Sequence, residues 1–299
     1  MTDTPAPPLD PCASPATADA LLRASPLPPL EARILLTHVL GWRRTQLITR
    51  GDEPLEAANV ERYRALEARR VAGEPVAQLV GAREFFGLEF EVTPHVLIPR
   101  PETELLVETA LAALENRPRP RVLDLGTGTG AIAVALASTR PDALVWALDR
   151  SADALAVAAR NGARLLDARR PGGAVTFLQS DWYDSLDAAV RFDAIVSNPP
   201  YIASGDPHLL EGDLRFEPRG ALTDEADGLS AIRAIIAGAP ARLAAGGVLW
   251  IEHGYDQAEA LRALLSAGGF AQVRSQRDLA GIERISGGVL SSGTSNGRA

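Results

Sequence analysis

From about Leu97 onward, short apolar runs alternate with stretches of helical period, and that alternation restricts the chain to a small set of folds. The runs are Val122–Leu125, Leu144–Leu148, Val175–Leu178, Ala194–Ser197 and Val248–Glu252. Each is short and nearly free of charge, the pattern of a strand buried on both faces. Helical segments around Ala131–Ser138, Ala152–Leu166 and Leu229–Leu243 separate several of them. Strands that take turns with helices pair in parallel, because each crossover must carry the chain back over the sheet. The expectation is an α/β fold with a mostly parallel sheet covered on both faces. Gln272–Ser275 and Ile282–Ile285 are expected to pair with each other as edge strands.

The 299 residues divide into segments of different character. Residues 1–15 are rich in Pro, Ala and Thr without apolar period and are expected to be a disordered leader. Residues 16–75 read as a helical domain: Leu30/Ile34, Leu35/Val39 and Leu36/Leu40 are spaced four apart, with Val60, Tyr63 and Leu66 continuing the habit. Gly41 and Gly73 stand where helix stops belong, and a short, Pro-interrupted first helix is expected before Pro29. Residues 76–96 hold EFFGLEFEV, a β-rich run around a glycine that predicts a hairpin linker. Residues 97–285 form the α/β domain, and the Gly/Ser-rich residues 286–299 are expected to be a flexible tail.

Composition narrows function. A formal net charge of −8 disfavours a long grip on nucleic-acid backbone. Cys12 is the only cysteine, which excludes disulfides within the chain and cysteine metal clusters, and His38, His95 and His208 have no partners at ligand spacing, so no metal is expected. No apolar stretch reaches membrane-span length and no signal pattern opens the chain, so a cytoplasmic protein, by default a monomer, is expected. Arg69-Arg70 and Arg169-Arg170 read as solvated helix faces.

Two motifs carry chemistry. The first strand runs into Asp124-Leu125-Gly126-Thr127-Gly128-Thr129-Gly130 at the start of a helix, where glycines let backbone approach a ligand. The next strand ends in Asp149, a carboxylate able to accept from both hydroxyls of a ribose. By themselves these features admit NAD as well as S-adenosylmethionine, since Gly126, Gly128 and Ala131 satisfy G-x-G-x-x-G/A. Trp182, after the third strand, either flanks an adenine beside Asp181 or covers the sheet edge. The second motif is Asn198-Pro199-Pro200-Tyr201, which follows a strand end. Two prolines stiffen the exit, so an amide and a phenol are held at the carboxyl edge, where ligands collect in open α/β sheets. That is a site for an NH2 group on a base or an amide. It selects methyl transfer to nitrogen over hydride chemistry, and so the methyl donor over NAD.

Taken together, Leu97-Ile-Pro-Arg-Pro-Glu-Thr-Glu104, Asp124 to Ala133, Ser197 to Ile202 and Phe216-Glu-Pro218 resemble the HemK/PrmC family, over about Leu30 to Ile285. The resemblance implies a class I, Rossmann-like S-adenosylmethionine-dependent methyltransferase with a small helical N-terminal domain and a β-hairpin. It implies methylation of the glutamine side-chain nitrogen in the Gly-Gly-Gln motif of class 1 peptide chain release factors. Asp124, Gly126, Thr127, Gly128, Thr129 and Gly130 would belong to the cofactor site, the glycines wrapping the methionine moiety, with Asp149 on the ribose and Trp182 by the adenine. Asn198 would meet cofactor and substrate, and Pro199, Pro200 and Tyr201 the substrate amide. Gln78-Leu79 departs from the family pattern near the helical domain's end. The competing readings are a methyltransferase acting on adenine or guanine exocyclic amines, whose pocket must take a flipped base, and a binding protein without turnover. Roles for Glu104, Glu217 and His253 are left open.

Overall fold

The computed structural model describes residues 16–291 and falls into two compact units that divide between Val80 and Gly81. The expected disordered leader lies outside the described residues.

The first unit is helical: α1 (Ala18–Ala24), α2 (Pro29–Leu40), α3 (Arg44–Thr49), α4 (Ala57–Val71) and α5 (Val76–Val80). Thr17 caps α1 by accepting from the Ala20 N–H at 3.2 Å, and the prolines after it end the helix within two turns. Gly41 closes α2 in the left-handed conformation, φ +63°. Leu21, Leu35, Leu36, Val39, Leu47, Tyr63 and Leu79 bury one another, whereas Leu30 is 54% exposed and does not share the stripe expected from its spacing to Ile34. Arg70 forks onto Glu31 (2.7 and 2.9 Å) and joins α4 to α2, so it is no free surface charge. Val76–Val80, expected within the hairpin segment, is instead a helix with Ala77 and Leu79 buried.

The second unit opens with the antiparallel hairpin β1 (Ala82–Phe85) and β2 (Leu88–Glu91), whose two-residue turn, Phe86-Gly87, has φ > 0 at both positions as a twisted hairpin requires. A 3-10 turn (Pro101–Thr103) leads into α6 (Glu104–Ala113). Then follow β3 (Arg121–Leu125), α7 (Ala131–Thr139), β4 (Leu144–Asp149), α8 (Ala152–Leu165), β5 (Thr176–Gln179), β6 (Phe192–Ser197), α9 (Arg219–Leu222), α10 (Ser230–Gly238), β7 (Leu243–Glu252), α11 (Ala258–Ala267), β8 (Phe270–Arg277) and β9 (Glu283–Leu290). The seven strands lie in the order β5-β4-β3-β6-β7-β9-β8, parallel from β5 to β7, with β9 antiparallel to both β7 and β8. Apolar residues of α6, α7 and the hairpin cover one face, and those of α10 and α11 the other.

Three further expectations are corrected here. Ser286–Leu290, read as the start of a flexible tail, is strand β9, and β9 is an inner strand between β7 and β8, not an edge. Its glycines serve packing: a Cβ on Gly287 would collide with the Trp250 ring and the Leu249 carbonyl. Arg170 is likewise buried, its guanidinium donating to the Ala143 carbonyl at 2.6 Å, while Arg169 is the solvated one of the pair.

Asn161, fully buried on α8, ties three elements together. Its Oδ1 accepts from the Glu91 N–H (2.8 Å), and its Nδ2 donates to the carbonyls of Glu91 (3.1 Å) and Thr129 (3.0 Å). The hairpin and the glycine loop therefore share one side chain. Asn161→Ala is expected to cost about 1–3 kcal/mol of unfolding free energy through the stranded backbone groups. A urea titration of the two proteins checks it.

Candidate active site

β3 and β6 are hydrogen-bonded neighbours, with Leu125 opposite Ser197, and the Ser197 hydroxyl donates to the Leu125 carbonyl at 2.7 Å. The helices after these strands run to opposite sides, so the chain parts at their ends and leaves a crevice. The two motifs leave the sheet side by side at this point.

In the loop after β3, the N–H groups of Gly126 and Thr127 both donate to the Leu148 carbonyl (2.8 and 2.9 Å). Gly126 (φ +72°) and Gly128 (φ +54°) take the left-handed backbone that spares them a Cβ penalty, and both line a cavity. Thr127, Thr129 and Gly130 are buried behind them and do not line it. Asp124 also lies behind the loop: its Oδ2 accepts from the Thr127 hydroxyl at 2.6 Å, its Oδ1 has no hydrogen-bond partner among the described residues, and burial pushes its carboxyl up to about 7. Asp124 is thus placed to hold the loop's shape from inside.

The cavity holds about 210 Å³, far more than the ~10–15 Å³ of one water. Asp149 is on its wall, with Oδ2 accepting from the Gly128 N–H and Oδ1 from the Ser151 N–H, each at 2.9 Å. Burial raises this carboxyl while the two N–H groups oppose the shift. Each oxygen retains a lone pair for a ligand hydroxyl. Trp182 adopts φ +45°, a conformation that costs a bulky residue roughly 1–3 kcal/mol. Its ring edge lies 4.0 Å from where a Cβ on Gly126 would stand, so indole and loop together form one end of the cavity. Ser180 and Asp181 line the same end.

Two further walls come from distant segments. His95, Val96 and Leu97 form one, and Pro218, Gly220 and Ala221 another. Glu217, buried, spans them: it accepts from the Ile98 N–H at 2.8 Å and pairs with the Arg100 guanidinium. Burial raises the Glu217 carboxyl, with Arg100 opposing. Sequence reasoning missed His95, Arg150, Ser151 and Gly220; the last had a visible signal in Glu217-Pro218-Arg219-Gly220.

Asn198 and Pro200 line the cavity, and Pro199 is buried beneath. The Asn198 Nδ2 donates to the Thr103 hydroxyl at 3.1 Å. Among the described residues no group donates to its Oδ1. Tyr201 packs its ring on the apolar cluster of the α10–α11 face, its carbonyl accepting from Gln257 at 3.0 Å, and burial raises its phenol. Its side chain therefore stands outside the cavity wall. Glu104 accepts from the Phe86 N–H at 2.8 Å and pins the hairpin turn. His253 is fully buried, hydrogen-bonded to Ser286 and the Gly254 carbonyl, and burial lowers its pKa. Glu252 is buried beside Thr103 and pushed up to about 7 by burial. Among the described residues no group of three or more His, Cys, Asp or Glu could hold a metal ion, and no helix is long and apolar enough to cross a membrane.

Known proteins match both units. The PrmC N-terminal domain family matches residues 16–81, and the methyltransferase small domain family residues 101–210. The chain is 70% identical to a release factor glutamine methyltransferase of Burkholderia pseudomallei over 93% of this chain and 97% of that protein. It is 59% identical to the protein of that name from Bordetella pertussis, over 90% of this chain and 98% of the relative. The hMettl16 catalytic domain, solved with the MAT2A 3′UTR hairpin 1, aligns at a TM-score of 0.55 and 16% identity over 76% of this chain and 81% of its own, a likeness of fold.

Asp124 and Glu252 make stability depend on pH. Both titrate near 7 when folded and near 4 when unfolded, so between about pH 4 and 7 the folded chain binds the extra protons. Their contribution is present at low pH, declines as pH rises through this window, and is flat above it. Glu102 reinforces the rise at Glu252 while Arg284 and Arg100 oppose it. Glu252→Gln and Asp124→Asn should each flatten the decline, as measured by denaturant midpoints from pH 5 to 8.

Proposed function

Because the chain belongs to the release factor glutamine methyltransferases, we propose that it methylates the side-chain nitrogen of the glutamine in the Gly-Gly-Gln motif of class 1 release factors, using S-adenosylmethionine. One observation carries the reading: Asn198 stands at the cavity with its Nδ2 committed to Thr103 and its Oδ1 open. An NH2 group seeks acceptors, and this is an acceptor on a rigid turn.

The residues present suit the cofactor. Asp149 can accept from a ribose diol, Trp182 and Asp181 can take an adenine face and amine, and the backbone of Gly126 and Gly128 leaves room for the methionine portion. Thr127, Thr129, Gly130 and Asp124 serve from behind by holding the loop in its left-handed turns. When bound, S-adenosylmethionine supplies an electrophilic methyl on its sulfonium sulfur.

An amide nitrogen is a weak nucleophile because its lone pair is delocalised. The task left to the protein is orientation, which can contribute several kcal/mol. Asn198 Oδ1 and the Pro199 carbonyl accept the two amide N–H bonds and turn the nitrogen toward the cofactor end of the cavity. They also stabilise positive charge that grows on it. The surplus proton, acidic after alkylation, leaves to solvent. Pro200 borders the amide, and Tyr201 fixes the turn by anchoring its far end in the apolar layer. The helical unit serves release-factor recognition. The enzyme acts as a cytoplasmic monomer with no direct grip on nucleic acid.

The test is a tryptic mass map of release factor after incubation with enzyme and cofactor. One added methyl on the Gly-Gly-Gln peptide is expected, and methyl incorporated only into nucleic acid would reject the reading. Asn198→Ala should lower turnover about 10–100-fold, the equivalent of a stranded N–H, with cofactor affinity nearly unchanged. Isothermal titration with the cofactor checks the second half; equal losses in both would remove Asn198 from the substrate side.

A further inference from the structure

A side-chain amide that meets both a backbone N–H and backbone carbonyls has its orientation set by them, since the first only donates and the others only accept. Gln257 is such a group. It stands at the start of α11, its backbone N–H donating to the Gly254 carbonyl (3.1 Å) and its carbonyl accepting from the Leu261 N–H (3.0 Å). Its Oε1 accepts from the Gly254 N–H at 2.9 Å, and its Nε2 donates to the carbonyls of Tyr201 (3.0 Å) and Gly228 (3.2 Å). One amide therefore joins the turn after β6, the segment before α10 and the loop after β7. Gly228 is fitted to the same point. It takes φ +79°, and a Cβ on it would stand 2.5 Å from the Tyr201 carbonyl oxygen and 3.0 Å from the Gln257 nitrogen. The next peptide is held as well, because the Ile202 N–H donates to the Leu222 carbonyl at 3.0 Å. Tyr201, Gly228, Gly254 and Gln257 all stand outside the cavity lining.

Chain stiffness carries this anchoring to the cavity. The pyrrolidine rings fix φ at Pro199 and Pro200, and a following proline also restricts the backbone of Asn198 and of Pro199. Few soft dihedrals remain between Asn198 and Tyr201. A shift at the Tyr201 carbonyl therefore moves Asn198 and the Pro199 carbonyl instead of dying out before them. We propose that Gln257 is a positioning residue for methyl transfer: it sets where the Asn-Pro-Pro-Tyr turn sits, and so where its two acceptors meet the substrate amide. The proposal rests on the reading of Asn198 and Pro199 as those acceptors.

The experiment measures kcat, the KM for release factor, the cofactor Kd and the melting temperature for wild type and a set of variants. Gln257→Leu removes all three side-chain bonds. Gln257→Glu keeps the shape and the acceptor for Gly254 but turns an oxygen toward two carbonyls. Each should lower kcat on the order of 10-fold with the cofactor Kd unchanged, as misplacement of an aiming group does. Gly228→Ala puts a methyl against the same carbonyl and should act likewise. Combined with Gln257→Leu it should cost little more than the larger single loss, because both changes act on one atom. Leu265→Ala, fully buried further along α11, lowers the melting temperature without removing these bonds and should keep wild-type kcat. Wild-type kcat in folded Gln257→Leu or Gln257→Glu overturns the proposal, as does a cofactor Kd weakened as much as kcat. Losses that multiply in the double variant overturn it too, and so does a Leu265→Ala as impaired in kcat as Gln257→Leu. If Gly228→Ala does not fold, the Gln257 variants and Leu265→Ala decide. A wild-type protein that methylates no release-factor glutamine overturns the functional reading beneath, a result distinct from all of these.

Discussion

The pairing of β3 with β6 is the contact on which the rest of the site depends. Four consecutive residue pairs, from Val122/Ala194 to Leu125/Ser197, set the register, and the Ser197 hydroxyl bound to the Leu125 carbonyl ends both strands at one level. A slip of one residue would turn every side chain to the opposite face and separate Gly126 from Asn198. Cofactor loop and substrate turn are thus aligned by backbone hydrogen bonding, before any ligand contributes. That is an inexpensive way to obtain precision, because the sheet's core already stabilises the register.

Behind the cavity lies a layer of acids that do not face it: Asp124, Glu217 and Glu252. Two of them support parts of the lining, Asp124 the glycine loop through Thr127 and Glu217 the two distant walls through Ile98 and Arg100. Burial raises all three carboxyls, so their presence costs stability at neutral pH. The cost falls where geometry must be held tightly. An apolar layer could fill the same volume but could not aim a hydrogen bond.

What the sequence made legible follows from range. The strands of the parallel sheet announced themselves as charge-free apolar runs because both faces are covered, and the turns after β3 and β6 were readable because glycine and proline restrict φ locally. Thr103 and Glu217 were not readable as supports: their partners lie 95 and 119 positions away, and only the fold brings them together. Ser286–Leu290 misled for a different reason. Glycine and serine there carry the same letters as a loose tail, but Gly287 answers to the Trp250 ring, a demand visible only once β9 lies beside β7. The alternation along Gly126–Gly130, two residues on the cavity and three behind, is likewise set by backbone direction, which residue type alone does not encode.

The position of β9 has a consequence for how the molecule is assembled. β8 touches the sheet only through β9, and β9 is the last strand of the sheet to be synthesised. Until it arrives, β7 is an open edge whose Leu249 and Ile251 are ready to pair with any passing strand, and β8 has no place to dock. Glu252, at the end of β7, gains its neighbour Ile285 in the same event. Assembly of this sheet is therefore closed by a keystone near the carboxyl end, and the nascent chain passes through an interval in which the parallel strands exist but the last two pairings of the sheet do not.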